Sequence, residues 1–280
     1  MKNFMKNQRF VLITGIISIF LLAACTNDSG SSESQKSTAW DKIQDQGSLK
    51  VATSGTLFPT SYHEGDSDKL TGFEVEVVRE VAKRLELEVN FTELGFDEML
   101  TSVNTGQVDL AANDIEISEE RKEKFIFSTP FKHSYGIAVV RKDDLSGIEK
   151  LEDLKGKKAA GASTSVYMEL AREYGAEEVT YDNASNEVYL RDVSIGRTDV
   201  ILNDFYLSSL GVAAFPDLNI TVHPDIKYSP SEVGFVMNKE NTELEKNVNR
   251  VIEEMLEDGT ISTLSAEFFN ADVTQKADID

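Results

Sequence analysis

One arginine of this chain stands where a cation is electrostatically unfavourable. In the stretch NDIEISEERKEKFIF, residues 113–127, Ser118 is typical of a helix N-cap and Arg121 falls in the first turn, where the helix dipole favours acids. No acid stands three or four positions from Arg121 to pair with it along that helix. Because an arginine beside free helix N–H groups is a strong carboxylate donor, we expect Arg121 to bind an anion from solution. The alternative is an internal ion pair with Asp114 or Glu116.

Other side chains could bind the opposite charge and the apolar part of the same ligand. Asp204 ends a predicted strand and could hold an ammonium group, or it could only cap the following helix. Residues 163–165, Ser-Thr-Ser, open another predicted helix and could donate hydroxyl and amide hydrogen bonds, or only cap it. Phe96 could stack on a ligand or pack in the core. Together these residue types suit a small zwitterion.

Two segments with identical spacing would deliver such residues to equivalent places. The sequences GQVDLAAND (residues 106–114) and GRTDVILND (residues 196–204) share Gly, Asp, Asn and Asp at the same offsets. In each, a helix ends at glycine and a buried strand runs into Asn-Asp. Ligands bind at the carboxyl ends of parallel strands in open α/β sheets. We therefore expect a cleft between two lobes that face each other.

The order of the predicted elements supports two lobes of α/β class. A strand–helix–strand–helix–strand pattern runs over residues 49–113, and a comparable one over residues 157–204, which predicts mainly parallel sheets flanked by helices. Two crossings of the chain between lobes would form a two-strand hinge that allows closure. The predicted domains are lobe 1, residues 40–138 and 232–280, and lobe 2, residues 139–231.

The first residues predict export and membrane anchoring. Three basic residues precede FVLITGIISIFLL, an apolar run of thirteen, which has the length of a signal-peptide core and is too short for a comfortable membrane span. The next residues, LAAC, end at Cys25, the sole cysteine, and resemble the lipobox of bacterial lipoproteins. We expect a signal peptide over residues 1–24, lipidation of Cys25, and a flexible Ser-rich tether over residues 25–39. The alternative is an ordinary secretion signal.

Charge and missing motifs exclude several function classes. The formal charge is −21, and removal of the three cations in the signal peptide makes it −24, which argues against nucleic acid or anionic lipid headgroups as partners. The sequence has no HExxH, GxSxG or GxGxxG motif, so we predict no enzyme and no cofactor. Its three histidines are scattered, and no metal site is expected.

Five motifs give the chain a resemblance to a known family. They are KLTGFEVEVVREVAKRL, SEERKEKFIFSTPF, LEDLKGKKAA, GRTDVILND and EDGTISTLSAEFFNADVT, and the resemblance runs from about residue 40 to residue 273. The chain resembles the extracytoplasmic solute-binding lipoproteins of ABC importers for polar amino acids, and the first and last motifs look most like the cystine-binding branch. The resemblance implies a two-lobe periplasmic-binding-protein-like (type II) fold, an amino-acid ligand and a monomer. It also implies partnership with ABC permease subunits and their cytoplasmic ATPase.

The resemblance also implies roles for individual residues. It places the carboxylate-binding arginine at Arg121, the ammonium-binding aspartate at Asp204 and the stacking aromatic at Phe96. Leu57 stands where the family usually has an aromatic, so Phe58 or Tyr62 is expected to substitute. The expected ligand-binding set is Ser54, Phe58, Phe96, Asn113, Asp114, Glu116, Arg121, Thr164, Ser165 and Asp204.

Glu116 departs from the family pattern, because a hydroxyl or amide is expected there. With Asp114 and Asp204 against Arg121, it gives the predicted site a charge near −2, which favours a ligand with more than one ammonium group. L-cystine or a related sulfur amino acid is the leading ligand, and a cationic amino acid (lysine, arginine or ornithine) is the alternative. A rival from another class is an extracytoplasmic dehydratase on the same fold, with Glu116 as its general acid or base.

Overall fold

The computed structural model describes residues 38–181 and 183–276. The signal peptide, Cys25 and most of the tether lie outside these residues, so the predictions made for them remain predictions. These described residues belong to one compact unit. Within its described part, no helix is both long and apolar enough to cross a membrane.

Helices and strands alternate along this unit. The helices are α1 (Ala39–Gln46), α2 (Phe73–Arg84), α3 (Phe96–Thr105), α4 (Glu119–Lys124), α5 (Val166–Glu173), α6 (Asn186–Ser194), α7 (Phe205–Ala214), α8 (Thr242–Glu257) and α9 (Thr260–Phe269). The strands are β1 (Ser48–Thr53), β2 (Thr56–Leu57), β3 (Ser61–Glu64), β4 (Lys69–Thr71), β5 (Glu88–Glu93), β6 (Leu110–Ala111), β7 (Phe125–Phe127), β8 (Lys132–Arg141), β9 (Lys158–Gly161), β10 (Glu177–Thr180), β11 (Val200–Asp204), β12 (Ile220–Val233) and β13 (Val236–Asn238).

Two five-stranded sheets organise the unit, in the orders β5-β1-β6-β13-β7 and β10-β9-β11-β8-β12. We call the first sheet and its helices (α1–α4, α8 and α9) lobe 1, and the second sheet and its helices (α5–α7) lobe 2. The first three strands of each sheet are parallel, as the βαβαβ pattern predicts, and the last two strands pair antiparallel. A small antiparallel sheet, β2-β3-β4, which the sequence pattern does not predict, extends lobe 1.

Each sheet is covered by helices on both faces. In β1, Val51 packs in a core cluster with α2, α8 and α9, whereas Ala52 packs in a cluster with α3, because successive side chains of a strand point to opposite faces. In β8, Ala138 and Val139 divide in the same way between the two core clusters of lobe 2. Strands buried on both faces leave their carboxyl ends as the places where polar groups can gather.

Strands β8 and β12 run through both lobes and form a two-strand hinge. Their antiparallel ladder begins where Lys132 pairs with Val233, before β8 meets β11 of lobe 2 at Gly136. The predicted lobe boundaries, after residues 138 and 231, fall within these two strands. A pair of continuous strands of this kind can absorb a rotation between lobes.

The repeated Gly-x-x-Asp spacing has the same structural reason in both lobes. The side chain of Asp109 accepts a hydrogen bond of 2.8 Å from the backbone N–H of Lys50, and that of Asp199 accepts one of 3.0 Å from the N–H of Lys158. Each aspartate thereby ties the start of its own strand to the start of the neighbouring parallel strand. The two glycines that open the segments have φ angles of 71° and 74°, which end the preceding helices. The Asn-Asp pairs then follow at the far ends of β6 and β11.

Candidate functional site

A cavity of about 470 Å³ lies between the lobes, at the carboxyl ends of β1, β6, β9 and β11. Small-molecule sites typically have volumes of about 300–1,000 Å³. Phe58, Arg121, Thr164 and Asp204 are not among the lining residues. The sequence-predicted residues that line the cavity are Ser54, Phe96, Asn113, Asp114 and Glu116 from lobe 1, and Ser165 from lobe 2.

Arg121 is buried beside the cavity and pairs within the protein. Ser118 caps α4 as predicted, because its Oγ accepts the backbone N–H of Arg121 at 3.2 Å. The guanidinium Nη1 donates to the Glu116 carbonyl at 2.8 Å and to its carboxylate at 3.3 Å. The internal ion pair that the sequence left as an alternative is therefore present. Its acid lies five residues before Arg121, outside the helix, so a search at helical spacing misses it. The guanidinium carbon also lies 5.6 Å from the ring centroid of Phe96, a cation–π contact.

Arg121 donates and Asp97 accepts hydrogen bonds that connect lobe 1 to Thr164 of lobe 2. Nη2 of Arg121 donates to the Thr164 carbonyl at 3.0 Å. The N–H and hydroxyl of Thr164 donate to Oδ1 of Asp97 at 3.1 and 2.6 Å. Thr164, predicted to donate its hydroxyl to the ligand, instead uses its N–H, C=O and hydroxyl to bind lobe 1. A further interlobe bond joins Thr56 to Asn183 at 3.1 Å.

Phe58 lies at the edge of lobe 1 rather than in the cavity. Its ring packs edge-on against Tyr62, with centroids 4.9 Å apart, and its carbonyl accepts a hydrogen bond from Asn186 of lobe 2. Neither aromatic lines the cavity, whereas Leu57 does. The predicted replacement of the missing aromatic by Phe58 or Tyr62 is therefore not what the geometry provides, because these two rings pack against each other outside the cavity.

Asp204 is buried and bonded to a lysine that the sequence analysis did not select. Its Oδ1 accepts the backbone N–H of Leu207 at 2.9 Å and caps α7, the role left as an alternative. Its Oδ2 lies 2.7 Å from Nζ of Lys132, which lies equally close to Oδ1 of Asp114 in lobe 1. Lys132 has no exposed surface, so this triad crosses the hinge in a buried environment. A carboxylate has about four acceptor sites, so Asp204 can still accept from a ligand ammonium group.

Glu74 completes the charged network from helix α2. Its Oε1 accepts the backbone N–H of Asp114 at 2.8 Å, and its Oε2 has no partner among the described residues. Burial raises the pKa of Glu74 well above its ordinary value. Burial also raises the pKa of Asp114 to about 7, with Asp204 and Glu116 adding to the effect and Lys132 opposing it. Glu74 and Asp114 therefore keep their protons to a higher pH than ordinary carboxyl groups do.

The net charge of the site equals the predicted value, but a different set of residues contributes to it. The formal sum of the buried groups is −2, from four carboxylates and two cations, and protonation of Glu74 would make it −1. The charge predicted from the sequence did not include Lys132 and Glu74, and the charges of these two residues cancel. The six groups are Glu74, Asp114, Glu116, Asp204, Arg121 and Lys132.

Asn113 and Ser165, which line the cavity and were predicted to contact the ligand, also make hydrogen bonds within the protein. Oδ1 of Asn113 accepts the backbone N–H of Ser54 at 3.0 Å, which joins the loops after β1 and β6. Ser165 caps α5, since its Oγ accepts the N–H of Met168 at 3.1 Å and donates to the Ala162 carbonyl at 3.0 Å. Contacts of these side chains with a ligand remain predictions.

The sequence carries a signal for Lys132 but none for Glu74. In FKHSYGIAVV, strand alternation puts Lys132 on the same face as Ala138 and Val140, which pack in a core cluster of lobe 2. A lysine on the apolar face of a strand requires a buried counter-ion. Glu74, by contrast, stands in the first turn of a helix, where an acid is ordinary.

The rival, enzymatic interpretation depends on Glu116. Glu116, its candidate general acid or base, is paired with Arg121. In residues 38–181 and 183–276, no group of three or more His, Cys, Asp or Glu is placed to hold a metal ion.

Comparisons with known proteins give the family. The model of the bacterial extracellular solute-binding proteins, family 3, matches residues 49–271. The probable ABC transporter extracellular-binding protein YckB of Bacillus subtilis (strain 168) is 61% identical over 284 residues, covering 100% of this chain and 98% of the relative. The L-cystine-binding protein TcyA of the same organism is 34% identical over 268 residues, covering 93% of this chain and 96% of TcyA.

Solved structures show the same architecture. A crystal structure of YckB from Bacillus subtilis aligns with a TM-score of 0.69 and 65% identity, covering 87% of this chain and 98% of that one. An ancestral arginine-binding protein bound to arginine aligns with a TM-score of 0.72 and 28% identity, covering 80% of this chain and 98% of that one.

These findings confirm the two-lobe fold and the family resemblance predicted from sequence. The family and the relatives are transporter substrate-binding proteins, so the prediction that this chain is not an enzyme is also confirmed. The chain therefore belongs to family 3 of the bacterial extracellular solute-binding proteins, as the binding protein of an amino-acid ABC transporter.

Proposed function

We propose that this protein captures L-cystine, or a related sulfur amino acid, in the cavity between its lobes and delivers it to an ABC permease. Arg121 binds the carboxylate of the amino-acid head, and Asp204 binds its ammonium group. The lobes rotate about β8 and β12 to enclose the ligand. The permease, driven by its cytoplasmic ATPase, receives the closed and loaded protein.

The observation that carries this proposal is the presence of opposite charges from both lobes beside one cavity. Arg121 and Glu116 meet on the lobe 1 side, and Asp204 meets Lys132 and Asp114 at the hinge. An amino-acid head presents one carboxylate and one ammonium group, and these are the groups that such side chains bind. Neither a purely anionic nor a purely apolar ligand would use both.

Two observations favour cystine among the amino acids. The relative TcyA is named as an L-cystine-binding protein. The acidic excess of the six buried groups favours a ligand with two ammonium groups, which cystine has. Arginine is the second candidate, because its guanidinium also suits an acidic site and a structural neighbour holds arginine.

A panel of amino acids measured by thermal shift and calorimetry tests the proposal. A ligand at 100 times its Kd adds about 2.7 kcal/mol of stability, which corresponds to a rise of about 5–10 °C in Tm. We expect the largest rise with L-cystine, or with a related sulfur amino acid, and smaller rises with arginine, lysine, ornithine and glutamine. A larger rise with arginine or lysine than with every sulfur amino acid would overturn the ligand assignment.

A reductant provides a control for a cystine result within the same experiment. Tris(2-carboxyethyl)phosphine converts cystine to cysteine, so it should remove the shift caused by cystine. The protein has a single cysteine and no internal disulfide to lose, so its own Tm should not change.

Arg121→Ala tests the carboxylate role directly. Loss of a buried charged partner should weaken binding by about 2–5 kcal/mol, or roughly thirty- to several-thousand-fold. Arg250→Ala is the matched control, because Arg250 pairs with Glu254 on the exposed face of α8. Equal affinity of Arg121→Ala and wild type would exclude the role.

We also propose that Cys25 carries the lipid that holds the protein, as a monomer, on the outer side of the cell membrane. The lipobox-like LAAC sequence supports this part of the proposal. Cys25→Ser should release the protein from the membrane fraction into the soluble extracytoplasmic fraction. Continued membrane association of that variant would contradict lipid anchoring.

A further inference from the structure

The cavity extends from its charged region into the interior of lobe 2. Four of its lining residues belong to one apolar core cluster, which lies on the α6–α7 face of the lobe 2 sheet. An opening among core side chains normally fills during folding, because close packing stabilises the interior. The four residues are Val139, Ala160, Leu190 and Ile201.

A glycine inside helix α7 keeps this part of the cavity open. Leu207, Ser208 and Gly211 of α7 all line the cavity. Glycine destabilises a helix interior relative to alanine, and Gly211 has no positive φ that would require it. A Cβ at this position would lie 3.4 Å from Cδ1 of Leu190, an ordinary van der Waals contact. Neither backbone conformation nor packing against Leu190 explains this glycine, whereas space for a ligand does.

Ser208 adds an unused hydrogen-bonding group at the same place. It is 5% exposed, lines the cavity one turn before Gly211, and its Oγ has no hydrogen-bond partner among the described residues. The hydroxyl of Tyr167, another buried lining residue, is in the same condition. Buried polar atoms without partners are uncommon and destabilising, so two at one cavity indicate that a ligand supplies the missing partners.

We propose that Val139, Leu190, Ile201, Ser208 and Gly211 form a side-chain subsite for the uncharged, sulfur-containing part of the amino acid. This inference rests on the proposed function, since the amino-acid head must occupy the charged region. A disulfide or thioether is polarizable, packs well among apolar side chains and is a weak acceptor for a hydroxyl.

The subsite selects against cationic side chains. A guanidinium or ammonium group would lose its hydration there, and the lobe 2 lining residues that the structure describes include no carboxylate. In cystine, the uncharged disulfide occupies the subsite, and polar lining residues of the same cavity, such as Thr180 and Asn183, are available to the second amino-acid head.

Substitutions at Gly211 test the subsite because they should change folding and binding in opposite directions. Gly211→Ala should raise the Tm of the ligand-free protein by about 2–4 °C, since alanine is the better helix former. The same methyl group should weaken binding of the sulfur amino acid by about tenfold, and Gly211→Val by more. Ser208→Ala should weaken binding about two- to tenfold without lowering the ligand-free Tm.

The control adds bulk to the same helix outside the cavity. Ala213→Val changes an exposed position of α7 and should leave affinity unchanged. Short amino acids, such as alanine and serine, should bind Gly211→Ala and wild type equally weakly, because their side chains do not reach the subsite. Calorimetry with this graded panel measures all of these quantities.

The outcomes separate the subsite from the proposed function. If wild type binds a sulfur amino acid and Gly211→Ala and Ser208→Ala bind it equally well, the subsite is overturned and the function stands. Tightest binding of arginine or lysine by wild type overturns both the subsite and the ligand assignment. If Gly211→Ala loses more affinity for amino acids with longer side chains than for short ones, the subsite is supported, whichever neutral amino acid binds best.

Discussion

Replacing Lys132 by methionine should destabilise the protein by several kcal/mol, and more at pH 8 than at pH 5.5. Nζ of Lys132 lies 2.7 Å from both Asp114 and Asp204, and all three side chains are buried. Methionine preserves most of the volume but leaves two carboxylates without a counter-ion. Breaking a buried pair by removal of one partner costs about 3–5 kcal/mol, which is the loss expected at pH 8.

The pH dependence follows from protonation of Asp114. In the wild-type protein its pKa is about 7, so lowering the pH from 8 to 5.5 stabilises the fold mainly below pH 7. Because the charge of Lys132 lowers that pKa, its removal raises the pKa further, so the variant gains stability over more of the interval. Each pH unit of protonation contributes about 1.36 kcal/mol. The loss at pH 5.5 should therefore be smaller than at pH 8, by up to roughly 1.4 kcal/mol for the pH unit between 7 and 8.

Urea unfolding followed by far-ultraviolet circular dichroism measures both quantities. Lys227→Met is the matched control, because Lys227 is an exposed residue of β12, and its loss should change stability by no more than about 0.5 kcal/mol. Adding Asp114→Asn to Lys132→Met should remove the difference between the two pH values. A loss below about 1 kcal/mol at pH 8, or an equal loss at both pH values, would refute the reasoning.

Two further predictions concern closure and titration. Asp97→Ala should speed ligand dissociation about 5- to 30-fold in stopped-flow measurements, because it removes both hydrogen bonds to Thr164. Replacement of the neighbouring exposed residue, Glu98→Ala, should leave the dissociation rate unchanged. Equal dissociation rates of Asp97→Ala and wild type would contradict an interlobe role for Asp97. Asp114→Asn should flatten the fall in unfolding free energy that wild type shows as pH rises from about 4 to 7, since burial raises this pKa in the folded state. Asparagine tolerates the φ of 54° at this position, so the substitution should not strain the backbone. If urea titrations show that the unfolding free energy of Asp114→Asn falls with pH as steeply as that of wild type, the raised pKa of Asp114 is rejected.

Helices and strands of this fold were predictable from the sequence where apolar residues recur at a regular spacing or where a glycine ends a helix. The helix over α2 and the strand over β1 follow from spacings of 3.6 and 2, and the repeated glycines mark the ends of two helices. The β2-β3-β4 sheet escaped prediction, because its strands have two to four residues and carry no recognisable alternation.

The site was less predictable because its bonds join residues that are distant in sequence. Asp97 and Thr164 are 67 positions apart, and Lys132 and Asp204 are 72 apart. Residue types indicated Arg121, Asp204 and Thr164 as candidate ligand contacts, but their partners depend on how the lobes face each other. Sequence reasoning therefore selected residues at or beside the cavity, and it assigned to a ligand some bonds that the protein makes internally.

We expect those internal bonds to restrict which ligand head group the site accepts. Arg121 uses three of its five N–H donors on Glu116 and Thr164, and the longest bond, 3.3 Å, is the one to the Glu116 carboxylate. In the proposed binding mode, a ligand carboxylate that displaces Glu116 from Nη1 leaves that acid able to accept, alongside Asp204, a hydrogen bond from the ligand ammonium group. A zwitterionic head thus exchanges one internal ion pair for two external ones without leaving a buried charge unpaired. A simple carboxylic acid would leave Glu116 unpaired, and a simple amine would leave Arg121 unpaired, each at a cost of several kcal/mol. We therefore expect selection for an intact amino-acid head even before the side chain reaches lobe 2.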